Sequence, residues 1–412
     1  MKDNFKVILK WFFGIFYFMP IFLEVFFYSD MSSLYRLNDN SVVLVIIFIF
    51  ILLSFSVYKF KVNQGIFNFF FINIFKGWIV ISSSVIFLIL SSYFYINYNV
   101  KFRHTGENVT DVGGWMIILI TLRAYFKAFL FYVFIARFKN IPLQINRVIL
   151  LNIAVCFSLS LVSSLDIALI IFSILLFLNQ VKLFKRRHNT SFELFTLVRN
   201  GILSLALFSS IVFFGIANKV GTETAKALFF DKDVLRVVIV STGLRLSTYY
   251  ASIHGVLNVV GKQENNLSSG FFGAIHNTIN RGVYLTTGEE LPRPEVWTIY
   301  RANYENLFVY NTNDRTGASP GIIASVFYGP NVVFGIMIIM VYLCVIYNIL
   351  KWALSFTYTL NSLGIILALV FVMPFLESPM DLVNVFNPSF IYFYAVLGGL
   401  LSLKNESINY VR

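Results

Sequence analysis

Charge is scarce in this chain. Of its 412 residues only 13% are Asp, Glu, Lys or Arg, against roughly 25% in a soluble globular domain. Most of the surface is therefore not built to face water. Cysteine is scarcer still. Cys156 and Cys344 both lie inside apolar runs, where a thiol packs as a small hydrophobe rather than entering a disulfide or metal site. No Cys/His cluster has zinc spacing. There is no glycine-rich phosphate loop or dinucleotide fingerprint, and no internal repeat of about 20–50 residues. The basic start, Met1 to Lys10, leads into an apolar run that contains Pro20 and Glu24 but no small-residue cleavage site. That run is expected to be a retained first membrane span rather than a cleaved signal peptide.

Apolar and aromatic residues are abundant. Hydrophobic residues make up 58% of the chain and aromatics 18%, with 47 Phe and 22 Tyr, which suits lipid-facing and interfacial positions. A span needs about 20 apolar residues. The expected spans are 11–28, 41–58, 77–95, 115–135, 148–161, 168–181, 202–217, 331–350, 356–376 and 390–403. The expected fold is an all-α polytopic membrane protein of about ten transmembrane helices. It divides into an N-terminal bundle (1–217), a large loop domain with a short interfacial helix (218–330) and a C-terminal bundle (331–412).

Charge orients the bundle. With the N-terminus in the cytoplasm, segments on that side hold 17 of the 32 Lys and Arg but only Asp3, Glu193 and Glu406 among the acids. The short outer loops hold only Arg36, Lys101 and Arg103 among the bases. This is the positive-inside asymmetry, and it predicts both termini on the cytoplasmic side. It also accounts for the net charge of +12 without any nucleic-acid partner.

The segment from Asn218 to Ser319 has no spanning run, and its ten basic and nine acidic residues nearly balance. It is apolar enough to bury a small core. The pattern predicts helices over 234–260, 272–285 and 294–310. A short helix should then start after Ser319, with Ser319 as N-cap and Pro320 as the first helical residue. Gly329-Pro330 ends it before the next span.

Several charged residues demand a role. Arg123 and Lys127, four apart, share one face of an apolar helix. Arg123 should lie about 12 Å deep at ~1.5 Å per residue. A cation at that depth marks either a functional cavity or an internal ion pair; the bland reading is that both snorkel to the interface. Arg245 projects with Tyr249 and Ser252. His254 falls about half a turn out of phase with it and reads as an ordinary satisfied histidine. Arg281 shares a face with Asn277, next to His276. Arg301 is flanked by Trp297 and Glu305, which in the bland reading is a simple helix pair. Arg315 precedes a helix start, where an arginine and free amides form a natural anion site; it could equally anchor at lipid headgroups.

The run STGLRLSTYYASIHGVLNVV, then GFFG, then RTGASPGIIASVFYGPNVVFG leading into a span, resembles the oligosaccharide repeat-unit polymerases (Wzy) of O-antigen synthesis, within the wider polymerase and O-antigen ligase group. Arg245, Gly270 with Gly273, and Gly321 through Gly335 fall at the matching places, over roughly a quarter of the chain. Ligases carry a histidine before the final loop helix; here that place reads Ala318-Ser319-Pro320.

The resemblance implies a GT-C-like glycosyltransferase of the bacterial inner membrane, with its large loop in the periplasm and with no metal and no cofactor. Its partners would be undecaprenyl-diphosphate-linked glycans, membrane lipid and a chain-length regulator protein, with no nucleic acid. Arginines would stabilise the diphosphate leaving group: Arg245 first, then Arg315, Arg301, Arg123 and Arg281. The expected proton acceptors are His276, Glu305 and Asp314. The competing readings are a lipid-linked oligosaccharide flippase, whose loops would be short, and an O-antigen ligase.

Overall fold

The computed structural model describes residues 4–38, 74–98, 114–139, 141, 146–160, 164–178, 246–260, 299–309, 318–354, 360–377, 379 and 388–411, with isolated helical positions between 202 and 213 and between 272 and 287. The expected span at 41–58 and most of 202–217 lie outside these residues. The described residues are helical and include no strand, only an isolated antiparallel bridge between Tyr35 and Phe308. In lipid this is the physical expectation, because a helix satisfies its own backbone polar groups.

Among the described residues three helices are long and apolar enough to cross a membrane, by length and composition: α1 (Asn4–Phe26), α3 (Gly77–Tyr98) and α4 (Gly114–Phe138). Between α1 and α3 lies the short α2 (Tyr28–Leu34). Four further apolar helices are α5 (Arg147–Leu159), α6 (Ser164–Phe177), α10 (Val332–Ala353) and α11 (Ser362–Glu377). The last, α12 (Pro388–Val411), is apolar over its first half. Among the described residues between α6 and α10 stand α7 (Thr248–Val259), α8 (Ile299–Leu307) and the one-turn α9 (Gly321–Ala324), which continues as a 3-10 turn over Ser325–Tyr328. α4 packs along α12, α5 along α6, and α3 beside α5. Aromatic rings fill the seams. Phe131 and Phe134 of α4 meet Phe371 of α11, and Phe172 of α6 meets the same ring at 5.6 Å.

Two irregularities shape the bundle. α1 widens into a π turn at Gly14–Phe18 just before Pro20, which has no N–H to give to a regular ladder. An added residue turns the following face by about 100°, and α7 docks on that turn. α11 carries Pro374, whose ring disturbs the carbonyls one turn back. The Tyr392 hydroxyl donates to the Phe371 carbonyl at 2.7 Å, and the Tyr342 hydroxyl donates to Phe375 O at 2.7 Å near the helix end.

The α7–α8–α9 group is locked to itself and to the bundle. Asn303 of α8 is wholly buried; its amide donates to Ser252 Oγ (2.9 Å) and to the Ala318 carbonyl (3.1 Å), and its oxygen accepts from the Tyr328 hydroxyl (2.9 Å). Gly255 lets α7 and α8 touch: a Cβ there would lie 2.8 Å from the Asn306 carbonyl oxygen. The chain after α2 pairs with the chain after α8, with Arg36 N–H donating to Leu307 O and Val309 N–H to Leu34 O.

The start of α9 corrects one expectation. Pro320, not Ser319, is the N-cap, no side chain caps the helix, and Ser319 Oγ is buried without a partner. Gly321 has φ of +69°, a conformation that suits glycine. A Cβ on it would meet Tyr17 Oη at 2.6 Å and Tyr249 Cβ at 2.8 Å. The turn is set by that narrow gap between α1 and α7, which displaces the local capping signal by one residue.

Candidate functional site

One end of the bundle collects the polar side chains. α5 finishes there at Ser160, α6 begins there with Asp166 in its first turn, α11 ends there at Glu377 and α12 begins beside it. Arg123 reaches this level from α4. Its Nη2 contacts Asp166 Oδ1 at 2.7 Å, and its Nη1 donates to the carbonyl and, at 2.6 Å, to the hydroxyl of Ser160. The guanidinium also lies over the Phe157 ring. Of the outcomes open for a deep arginine, the internal ion pair is the one found. A cavity is present as well.

That cavity holds about 170 Å³ and is lined by Arg123, Lys127, Asp166, Pro374, Tyr392 and neighbouring apolar side chains. This is far more than the ~10–15 Å³ one water requires. Lys127 Nζ stands 5.0 Å over the Tyr392 ring. It feels the charges of Glu377, Asp166 and Arg123, but no carboxylate comes within ion-pair distance of it among the described residues. An ammonium held over an aromatic face and open to a cavity is a cation prepared for an anion. The reading in which Arg123 and Lys127 both snorkel to the interface is corrected: i,i+4 spacing turns both toward the interior, where α6, α11 and α12 enclose them.

On the neighbouring side of the same end, two adjacent tyrosines of α7 clasp two carboxylates. The Tyr249 hydroxyl donates to Glu377 Oε1 at 3.1 Å, and the Tyr250 hydroxyl makes a short bond to Glu24 Oε2. Tyr249 also sits among the rings of Phe12, Phe16 and Tyr17 of α1. His254, one turn on from Tyr250, is fully buried and crosses its ring edge to face at 4.7 Å. Its Nδ1 accepts the Asn38 amide at 2.7 Å, so a neutral ring carries its proton on Nε2. Nε2 faces Glu24 Oε2 at 3.6 Å and has no hydrogen-bond partner. Burial lowers the His254 pKa to about 4, so the ring is neutral near pH 7. Burial also raises the Tyr250 hydroxyl, with Glu24 adding to it.

The candidates named from sequence fare unequally. Arg123 stands in the cavity. Arg245, Arg281, Asp314 and Arg315 lie outside the described residues, although Arg245 precedes α7 by three positions. Arg301 is on α8, but its side chain lies outside them too. Glu305, one turn on, is half-buried and near Tyr328. His276 is half-buried in a helix. Neither His276 nor Glu305 lines the cavity. His254 corrects the view of an ordinary satisfied histidine, since one of its two nitrogens is unpaired. Glu24 and Glu377 were not singled out as site residues. An acid inside an apolar run was the available signal for Glu24. Glu377 sits at the edge of its run, where a carboxylate attracts no notice. Among the described residues no group of three or more His, Cys, Asp or Glu could hold a metal ion.

Comparisons with protein-family models, with curated proteins and with solved structures return no match.

Proposed function

We propose that this chain is a membrane glycosyltransferase that polymerises undecaprenyl-diphosphate-linked oligosaccharide repeat units. The observation that carries the reading is the Lys127 ammonium, open to a cavity of about 170 Å³ beside Arg123. A diphosphate leaving group bears at least two negative charges. Fixed cations in a site shielded from water stabilise that charge as it develops, the task a divalent metal performs elsewhere. Arg123 is held by Asp166 and Ser160, so its charge is already oriented. Lys127, with no carboxylate at ion-pair distance among the described residues, supplies a further charge. Arg245 and Arg315 would, on the same reading, serve as further diphosphate-binding residues.

The reaction on this reading is attack by a hydroxyl of a lipid-linked repeat unit on the anomeric carbon of the growing glycan. Undecaprenyl diphosphate leaves from the same carbon. The exposed apolar faces of α1 and α3 would hold the polyprenyl tails. The finer architecture belongs to the same proposal: about ten spans in a GT-C-like arrangement, both termini cytoplasmic, the bacterial inner membrane, and the α7–α9 group at its periplasmic face.

The test is complementation of a strain deleted for this gene, read as surface-glycan ladder length. Wild type restores long chains, while Lys127→Met and Arg245→Ala, expressed at equal level, leave single repeat units. Wild type restoring no long chains sinks the polymerase reading. Lys127→Met building wild-type ladders removes the cavity from the reaction.

A further inference from the structure

Three carboxylates gather at the site end of the bundle, and they differ in one respect. Asp166 is neutralised by Arg123 at 2.7 Å. Glu377 lies in the field of Lys127. Glu24 has no lysine or arginine within ion-pair distance among the described residues. The side chain nearest to pairing with it is His254, at 3.6 Å, and that ring is neutral near pH 7. A carboxylate in an apolar helix is costly and usually functional.

Its two oxygens are treated differently. Oε2 accepts from the Tyr250 hydroxyl and faces the Nε2 proton of His254. No donor among the described residues reaches Oε1. The side chain keeps 18% of its exposure, and its helix neighbours Phe22, Val25 and Phe26 are 64%, 73% and 75% exposed. Oε2 is thus pinned by Tyr250, while Oε1 has no donor among the described residues and the side chain borders an exposed apolar face. His254 is itself fixed by the Asn38 amide, and Asn38 by Asn258 at 3.0 Å. Behind the carboxylate stands a chain of positioned donors, the support a reactive group needs to hold its geometry.

We infer that Glu24 is the proton acceptor of the transfer reaction, acting through Oε1, with Tyr250 and His254 as its positioning residues. This rests on the glycosyl-transfer reading above. The proton of the attacking sugar hydroxyl passes to Glu24 Oε1. The hydroxyl oxygen bonds to the anomeric carbon of the donor. The bond from that carbon to the diphosphate oxygen breaks, and its electron pair leaves with undecaprenyl diphosphate. Protonated Glu24 then releases its proton to water. A carboxylate is basic enough, as in inverting glycosidases, where one activates a water against a cation-like sugar carbon. The inference moves the base from the loop residues His276, Glu305 and Asp314 to the first helix of the chain.

The test uses full-length protein in detergent and the lipid-linked glycan pool extracted from the deletion strain, with elongation rates measured against pH. Wild type loses rate on the acid side as its base is protonated. Glu24→Gln lowers kcat by about 10²–10⁴-fold, leaves KM within a few-fold, and abolishes the acid limb; Glu24→Asp recovers a measurable share of the rate. Tyr250→Phe removes the hydroxyl that donates to the carboxylate and His254→Gln removes the ring that faces it, so each moves the acid limb to higher pH while retaining activity. Wild-type kcat in Glu24→Gln, or an unchanged acid limb in that variant, overturns the inference. Should Glu24→Gln unfold, the other two variants decide: an acid limb unmoved in both also overturns it. Wild type failing to elongate the glycan is a different result. It brings down the glycosyl-transfer reading, and this inference with it.

Discussion

Breaking the Arg123–Asp166 pair should destabilise the bundle measurably, and the geometry sets how much. The charged atoms are 2.7 Å apart and the two side chains are 12% and 7% exposed. At that distance the bare attraction is about 6 kcal/mol for an effective dielectric constant of ~20. The net cost of removing one partner from a buried pair is smaller, about 3–5 kcal/mol, since the remaining charge finds what solvation it can. Asp166→Asn should fall at the lower end, near 3 kcal/mol, because Arg123 keeps both oxygens of Ser160 and some exposure. The double variant Arg123→Leu with Asp166→Leu strands no charge, and should come within about 1 kcal/mol of wild type. The cycle of Arg123→Leu, Asp166→Leu and that double variant then yields a coupling of at least ~2 kcal/mol. Unfolding of the detergent-solubilised protein, followed by loss of helical signal under denaturant, measures each corner. Coupling near zero, with Asp166→Asn costing under ~0.5 kcal/mol, would show Arg123 reaching out to lipid headgroups instead, and would remove the internal pair from the site.

Two other outcomes follow from single residues. Gly255→Ala places a methyl 2.8 Å from the Asn306 carbonyl oxygen; backbone against backbone cannot rotate away, so about 2–3 kcal/mol is lost, and a change below ~0.5 kcal/mol in the same unfolding assay would mean that α7 and α8 do not meet there. The buried His254 ring, lowered to about 4, binds no proton between pH 4 and its unfolded value of ~6.5, whereas the unfolded chain does. Stability should therefore fall as pH drops through that window, by about 3 kcal/mol in all, with the charge of Glu24 reducing the effect. Other carboxylates titrate there too, so the readout is wild type minus His254→Gln; equal slopes for the two proteins would contradict a neutral buried ring.

The spans show which features are local. The expected 77–95 and 115–135 became Gly77–Tyr98 and Gly114–Phe138, within a few residues, because an apolar run long enough to cross lipid can do little else. Ser319 shows the opposite. Its sequence neighbourhood is a good capping signal, yet the turn sits one residue later, at Gly321, because two tyrosines from distant helices leave room only for a bare Cα. Arg123 and Lys127 were legible as a same-face pair from their spacing. Asp166, which completes the ion pair, lies on a different helix and could not be assigned to it without the fold. The phase of His254 separates it from Arg245 in the sequence pattern, yet α7 turns that other face against Glu24.

Composition alone settled the solvent of this protein: few charges, long apolar runs and abundant aromatics leave helices packed for lipid, since a backbone in lipid must bond to itself. Which polar groups meet was decided by tertiary structure. The π turn in α1 and the close approaches permitted by Gly255 and Gly321 bring together parts of the chain that are distant in sequence. They carry α7 onto the end of the bundle, where Tyr249 and Tyr250 reach Glu377 and Glu24. Hydropathy is a sum over neighbours in sequence. A site is a meeting of neighbours in space, and only the packing of the helices could choose them.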